Sequence, residues 1–408
     1  MFSSRLPANV TTNRLTDAVR ERRARGDAFI DLTESNPTRA GFDYPPDLLA
    51  PLGHARGLKY APSPLGTIEA RRAVAADYAR QGISVPPERI ALTASTSDGY
   101  SLLFKLLADA GDEVLVPRPS YPLFDHLTRL DLVVTRYYDL DLHGSWSIDT
   151  DSLERAITPR TRAVLVVSPN NPTGSLIGIG ELARLAAICA PRGIAIIADE
   201  VFADYELEPG AASRAGRLLD PLGDGLKAVP YVQGAVPHVL SFSLGGLSKS
   251  IGLPQAKLGW MAVSGPDALV ADALERLELV CDTYLAVSTP VQLAAAELLE
   301  RGAAVRAQIA SRVAANYRAL QAAVSGTPSC RVLRSDGGWY AVLQVPSLES
   351  EEDLVLRLLA DGVLTHPGYF FDFPRESFLI VSLLPPETSF ADGISRVLRH
   401  FDGTTSVR

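Results

Sequence analysis

Cysteine, histidine and lysine are all scarce in this 408-residue chain, and each scarcity excludes something. The three cysteines, Cys189, Cys281 and Cys330, include no CxxC pair and suggest no disulfide framework. The first twenty residues hold no apolar stretch of the kind a secretory signal needs, so a reducing cytoplasm is the expected location. No uninterrupted apolar run reaches membrane-spanning length, and no membrane partner is expected. The six histidines are scattered, with no HExxH and no Cys/His cluster, so no metal is expected. Basic charge is in deficit too. The net charge of −8 disfavours a general nucleic-acid binder, because phosphate backbones attract basic faces. No GxGxxG follows an early strand, which counts against a nicotinamide oxidoreductase.

What is present is a long chain, 47% hydrophobic, with enough material for two domains. Short apolar runs alternate with helical patterns through its middle. Residues 89–93 (RIALT), 113–117 (EVLVP), 163–167 (AVLVV), 194–198 (IAIIA), 238–242 and 258–263 read as strands. Helices are expected around 98–108 and 179–190. Runs apolar nearly throughout belong to strands covered on both faces, so the expected class is α/β with a mainly parallel sheet. Residues 206–237, rich in Gly, Pro and Ala, read as a long surface loop or small insertion. After Pro290 the pattern changes to an α+β unit: helices over 291–302, 305–324 and 351–361, a strand over 339–345, short β-like runs over 363–366 and 378–383, and a final helix.

Of the five lysines, Lys249 is set apart by its place in Ser243-Leu-Gly-Gly-Leu-Ser-Lys249, a strand followed by what reads as a glycine-rich turn. Such a turn brings an amine to the strand's C-terminal edge, where α/β sheets bind ligands. Desolvation there lowers an amine's pKa and lets it attack an aldehyde. Ser95-Thr96-Ser97-Asp98 lies between a strand and a helix, where hydroxyls cap the helix and its free amides can hold an anion. Ser168-Pro-Asn-Asn171-Pro-Thr-Gly174 holds an asparagine between prolines. Asp199-Glu200 ends a strand, a place where a carboxylate can face a cationic ring nitrogen.

In their order along the chain these strings, with Tyr60, Gly66 and Arg71 before them and Lys257-Leu-Gly-Trp after them, resemble the class I/II aminotransferases. Those are pyridoxal-phosphate (PLP) enzymes of fold type I, and the resemblance runs from about residue 31 to 401. It implies a Schiff base between Lys249 and PLP, with Lys249 later moving the proton. It implies Asp199 on the pyridinium nitrogen, Asn171 on the phenolic oxygen and Tyr121 stacked on the ring. Thr96, with Ser95 and Ser97, would hold the phosphate, helped by Ser248 and Lys257. Tyr60 would reach the cofactor of a partner subunit, making a homodimer with shared sites. The large domain would span 44–289, and the small domain would join 1–43 to 290–408. The implied reaction moves an amino group between an amino donor and a 2-oxo acid. A β-eliminating or other Cα-bond-cleaving enzyme on the same scaffold is the alternative.

Four departures stand out. Lys257 replaces an arginine, so a point charge stands where the family has a planar fork. Phe202 replaces a tyrosine that would donate to the phenolic oxygen, so the cofactor's Schiff base should stay protonated to higher pH. Gly246 stands where many relatives carry a phosphate-binding serine. Last, Leu379-Ile380-Val381-Ser382 occupies the string that in the family carries the substrate-carboxylate arginine. Arg39 in Glu34-Ser-Asn36-Pro-Thr-Arg39 is the expected substitute, with Arg118 a second candidate. Asn36, Trp339, Tyr340, Tyr369 and Phe370 fall in segments that border the substrate in the family.

Overall fold

The computed structural model of the chain describes residues 2–7, 11–211, 213, 215–219, 238–375 and 377–401. Its centre is an eight-stranded sheet. In spatial order the strands are Ile90–Thr93, Gly259–Ser264, Ser241–Gly246, Ala195–Asp199, Thr161–Val167, Glu113–Arg118, Val134–Leu142 and Trp146–Ile148. All neighbouring pairs from Ser241–Gly246 to Val134–Leu142 are parallel. Gly259–Ser264 runs against both of its neighbours, and Trp146–Ile148 folds back on Val134–Leu142.

The apolar runs divide between two cores because side chains alternate across a strand. Val114, Val116, Leu165, Ile197, Phe242 and Met261 join one cluster, with Leu103 and Phe104 of helix Thr96–Leu107 and Leu277 of helix Asp267–Tyr284. Leu115, Val164, Val166 and Ile196 join the other, with Leu182, Leu185 and Ile188 of helix Ile179–Cys189. Both faces are covered, which is why these strands read as continuously hydrophobic.

The second unit is a four-stranded antiparallel sheet of Arg331–Val332, Tyr340–Gln344, Phe378–Ser382 and His366–Pro367. Helices Ala303–Val324 and Glu387–Arg399 pack against each other beside it. The N-terminal segment joins this unit: Ile30–Asp31 pairs in parallel with Val363–Leu364, and helix Arg14–Arg25 packs on helix Glu351–Ala360.

Two expectations need correction. The strand expected over 238–242 starts at Ser241 and runs through Gly246, so the glycine pair is strand and not turn. The glycines are there for room: a Cβ on Gly245 would lie 2.5 Å from Trp260 Nε1, and one on Gly246 would lie 3.2 Å from the Gly259 Cα. The segment over 206–237 is not merely a surface loop. Glu206 bridges to Gly337, Ala215 bridges to Gly178, and Arg217 forms a bidentate pair with the buried Glu200 at 2.9 and 3.0 Å. Residues 220–237 of that segment lie outside the described residues. The strand Val134–Leu142 and the helices Arg14–Arg25 and Ile68–Arg80 were not expected from the pattern; the strand is a half-exposed polar run, unlike its all-apolar neighbours.

Candidate active site

Sheet register sets the site. Val167, Asp199 and Leu244 are side by side on adjacent strands, and so are Gly246, Gly259 and Thr93. The strands ending at Thr93, Arg118, Val167, Asp199 and Gly246 point the same way. The residues that follow them therefore emerge along one edge: Ser95–97, Tyr121, Asn171, Phe202 and Lys249. Lys257 precedes an antiparallel strand and enters at the same edge.

Lys249 lies in the helical turn Leu247–Ser250 that begins at the end of its strand. Its Nζ is 4.8 Å from the centroid of the Trp339 ring and 5.6 Å from that of Phe202. Burial pulls the amine down to about 8, against the opposing charge of Asp199. Near neutral pH a useful fraction is therefore uncharged and nucleophilic. Asp199 is the complementary case. Burial lifts its carboxyl to about 6, while hydrogen bonds from the Val201 amide at 3.2 Å and the Tyr100 hydroxyl at 2.9 Å, and the charge of Lys249, pull it back down.

At the far end of the edge, Ser95 caps helix Thr96–Leu107, its Oγ accepting from the Asp98 amide at 3.1 Å. Thr96 and Ser97 are the first two residues of that twelve-residue helix, where backbone amides lack intrahelical acceptors and the helix dipole favours an anion. The helix is tied to Asp199 through Tyr100, one turn further on. Lys257 is exposed and holds a left-handed backbone (φ 54°). The close approach of residues 258 and 259 to Gly246 leaves little room for a serine side chain there. Ser248, half-buried, sits one residue before Lys249.

Asn171 is buried, and its Oδ1 has no hydrogen-bond partner among the described residues. Tyr121 is close enough to Asp199 for that charge to help raise its phenol pKa, after burial. Phe202 and Trp339 pack edge to face at 5.3 Å, and Tyr340 completes the wall at 6.5 Å from Phe202. The Tyr340 hydroxyl is hydrogen-bonded to Ser35, and burial moves its pKa up to about 12.

The other residues singled out by sequence make local contacts. Arg39 is 72% exposed and lies 3.9 Å from Glu34. Asn36 turns its side chain onto the Thr38 amide and hydroxyl. Arg118 is bound to Asp139 at 2.6 Å. Tyr369 is largely exposed beside Glu351, Glu352 and Arg14. Tyr60 is 74% exposed, beside a shallow cavity that Cys281 and Tyr284 also line. Ile380 is fully buried in an apolar cluster with Trp146, Val342, Phe373 and Phe378. Sequence reasoning missed Tyr100, although its position one turn after Thr96 puts it on the same helix face. It also missed Ser35 and Tyr205; the latter bonds only to main chain, which leaves no sequence signal.

The edge thus offers an amine for an aldehyde, a buried carboxylate for a ring cation, the buried Asn171 side chain, whose amide N–H can donate to an anionic oxygen, and a helix N-terminus for a phosphate. PLP carries the matching groups, and these residues fit it.

Comparisons agree. A family model described as aminotransferase class I and II matches residues 29–389. The glutamate-pyruvate aminotransferase AlaA of Escherichia coli K12 is 26% identical over 390 residues, covering 93% of this chain and 91% of that protein. An alanine aminotransferase of Mycobacterium tuberculosis H37Rv is 27% identical over 391 residues, covering 92% and 86%. Among solved structures, the alanine aminotransferase of Pyrococcus furiosus superposes with a TM-score of 0.83 at 23% identity, covering 98% of this chain and 99% of that one. The N-succinyldiaminopimelate aminotransferase of Mycobacterium tuberculosis gives 0.78 at 22% identity, covering 98% and 100%. These structural likenesses speak for the fold, which is that of fold-type-I aminotransferases. The chain belongs to the class I and II aminotransferases and is a PLP-dependent enzyme that moves an amino group between an amino donor and a 2-oxo acid.

Proposed function

We propose that Lys249 bears the cofactor and serves as the acid–base group of this aminotransferase. The observation that carries this is the burial of its amine between Trp339 and Phe202, at the strand edge that also holds Asp199. PLP bound there supplies a carbonyl for amine exchange and a ring that accepts electrons from the substrate's Cα. Lys249 Nζ would be the base that takes the Cα proton and, once protonated, the acid that returns it. Asp199 would hold a negative charge against the ring nitrogen, with Tyr100 orienting it. Asn171 would donate to the phenolic oxygen and Tyr121 would cover the ring. Ser95, Thr96, Ser97, Ser248 and Lys257 would hold the phosphate. Phe202 and Trp339 keep water from the amine.

The named relatives support a small amino-acid donor and a 2-oxo acid acceptor of the alanine–pyruvate kind. With Ile380 buried among apolar side chains, the donor's carboxylate has to be met elsewhere. Tyr340 pairs with Ser382, two residues beyond Ile380, and so faces the same side of the small sheet. Its hydroxyl, bonded to that of Ser35, would take this task, with the Asn171 amide beside the cofactor. The division into a large domain over 44–289 and a small domain of 1–43 with 290–408 suits this arrangement, since Ser35 and Tyr340 both come from the small one.

We further propose a cytoplasmic homodimer. All three cysteines are buried and free. No single described helix is long and apolar enough to cross a membrane. Leu58, Tyr60, Leu279 and Tyr284 are exposed. A second copy covering them would let Tyr60 reach the partner's cofactor.

The test is to follow the visible absorption of the purified enzyme while alanine, glutamate and other amino acids are added singly. Bleaching by a donor and recovery on adding pyruvate or 2-oxoglutarate is expected. Steady release of a keto acid from the donor with the band unchanged would overturn the proposal in favour of elimination.

A further inference from the structure

The carbonyls of Lys249 and Ser250 close the one-turn helix Leu247–Ser250, and a helix this short cannot satisfy them from within. The Gly252 amide reaches Lys249 O at only 3.3 Å. Two side chains from distant parts of the chain supply the strong donors. The Tyr205 hydroxyl donates to Lys249 O in a short contact and lies 3.4 Å from Ser250 O. Arg306 Nε donates to Ser250 O at 2.8 Å. Both side chains are buried.

Arg306 is itself held. Its Nη2 donates to Asp77 Oδ1 at 3.0 Å, and its Nε lies 3.6 Å from Asp204 Oδ2. Arg80 reaches the same two carboxylates, at 3.0 and 2.5 Å. Two guanidiniums and two carboxylates form a charge-balanced set. It joins helix Ile68–Arg80, helix Ala303–Val324 and the segment after Asp199 to the main chain beneath Lys249. Tyr205 packs its ring edge-on against Trp339 at 5.2 Å, and Trp339 is the ring beside Lys249 Nζ. The segment 199–205 therefore places three things at once: the carboxylate facing the amine, a ring against the aromatic wall, and a donor to the carbonyl below the amine.

We propose that Tyr205 and Arg306 are positioning residues for aminotransfer: by holding the carbonyls of Lys249 and Ser250 they fix the direction in which Nζ leaves the turn, between Asp199 and Trp339. The proposal rests on Lys249 being the cofactor-bearing amine. A lysine side chain is long and flexible, so its aim depends on a fixed main chain. Reacting groups tolerate little misplacement.

Tyr205→Phe tests this, because it keeps the ring and removes only the donor. The expected result is a fall in kcat of about tenfold or more with KM within about twofold. In the cofactor-free variant the pH midpoint for acetic anhydride labelling of Lys249, read by mass spectrometry, should rise by about half a pH unit or more as the amine relaxes toward solvent. Arg306→Lys keeps the charge for Asp77 and Asp204 but loses the planar fork, and should shift both readouts the same way to a smaller extent. Wild-type kcat and an unchanged labelling midpoint in a folded Tyr205→Phe protein would overturn the proposal. A lower kcat without a shift in midpoint also overturns it, because the amine's surroundings would then be unaltered. If Tyr205→Phe does not fold, Arg306→Lys decides by the same two readouts. Lys249→Ala is the control: a stoichiometric borohydride-stable pyridoxyl adduct still forming on that variant removes the premise about Lys249, whatever Tyr205→Phe shows.

Discussion

The Tyr100 hydroxyl donates to Asp199 Oδ2 at 2.9 Å, joining residues 99 positions apart and linking the helix that begins at Thr96 to the carboxylate that faces Lys249. The bond helps offset the burial that lifts the Asp199 carboxyl to about 6. Without the phenol the carboxyl rises further. Tyr100→Phe should move the acidic limb of the pH profile for PLP binding by the cofactor-free enzyme upward by about half to one pH unit. An acidic limb at the wild-type position would show that Tyr100 does not tune Asp199.

Asp199 also makes a stability prediction for the cofactor-free enzyme. Its folded pKa lies above its ordinary value of 3.8, so the folded chain holds the proton more tightly than the unfolded chain. That contribution is full below about pH 4 and lost as pH rises through about 6. Asp199→Asn removes the loss while keeping an acceptor for Tyr100. At about pH 7.5 the cofactor-free variant should be more stable than wild type by up to about 3 kcal/mol, with no gain near pH 4. Denaturant titrations at the two pH values measure this. With cofactor bound the order should reverse, because the wild-type carboxylate then has its cation.

In the proposed site, Phe202 would leave the phenolic side of the cofactor with Asn171 alone. Adding a donor there favours the anionic oxygen, and so lowers the pH at which the visible band titrates. Phe202→Tyr should shift that titration downward by about one pH unit. An identical midpoint in both proteins would contradict the role given to position 202.

Tyr340 is the test of substrate recognition. If its hydroxyl meets the donor's carboxylate, Tyr340→Phe loses a hydrogen bond to a charged group, about 1.5–3 kcal/mol, and KM for the amino donor should rise at least about tenfold. The visible spectrum without substrate should not change. Ile380→Arg should not rescue binding. It would place a charge among Trp146, Val342 and Phe373 and cost about 3–5 kcal/mol of stability, read as a lower denaturation midpoint.

The sheet and the edge residues were legible because burial on both faces forces apolar runs, and because the residues after such runs carry the chemistry. Residues 163–167 and 194–198 announce themselves in this way, and Asn171 and Asp199 follow directly. The exceptions have physical causes. Gly245 and Gly246 look like a turn, but they are strand residues thinned to admit Trp260 and the backbone of Gly259. Val134–Leu142 (VTRYYDLDL) lies next to the sheet's edge and is only partly covered, so it lacks the uniform apolar signature. Arg39 and Arg118 were attractive as unassigned cations, yet local acids, Glu34 and Asp139, lie beside them. Tyr205 and Arg306 act on main-chain carbonyls, and nothing in a residue's type records which carbonyl it will meet.

Borohydride reduction of the PLP-loaded enzyme, followed by protease digestion and mass spectrometry, identifies the amine that carries the cofactor. The chain has five lysines, so the answer is discriminating. A single pyridoxyl-phosphate adduct is expected, on the peptide containing Lys249. An adduct on Lys59, Lys105, Lys227 or Lys257 instead, or none at all, would contradict the assignment to Lys249.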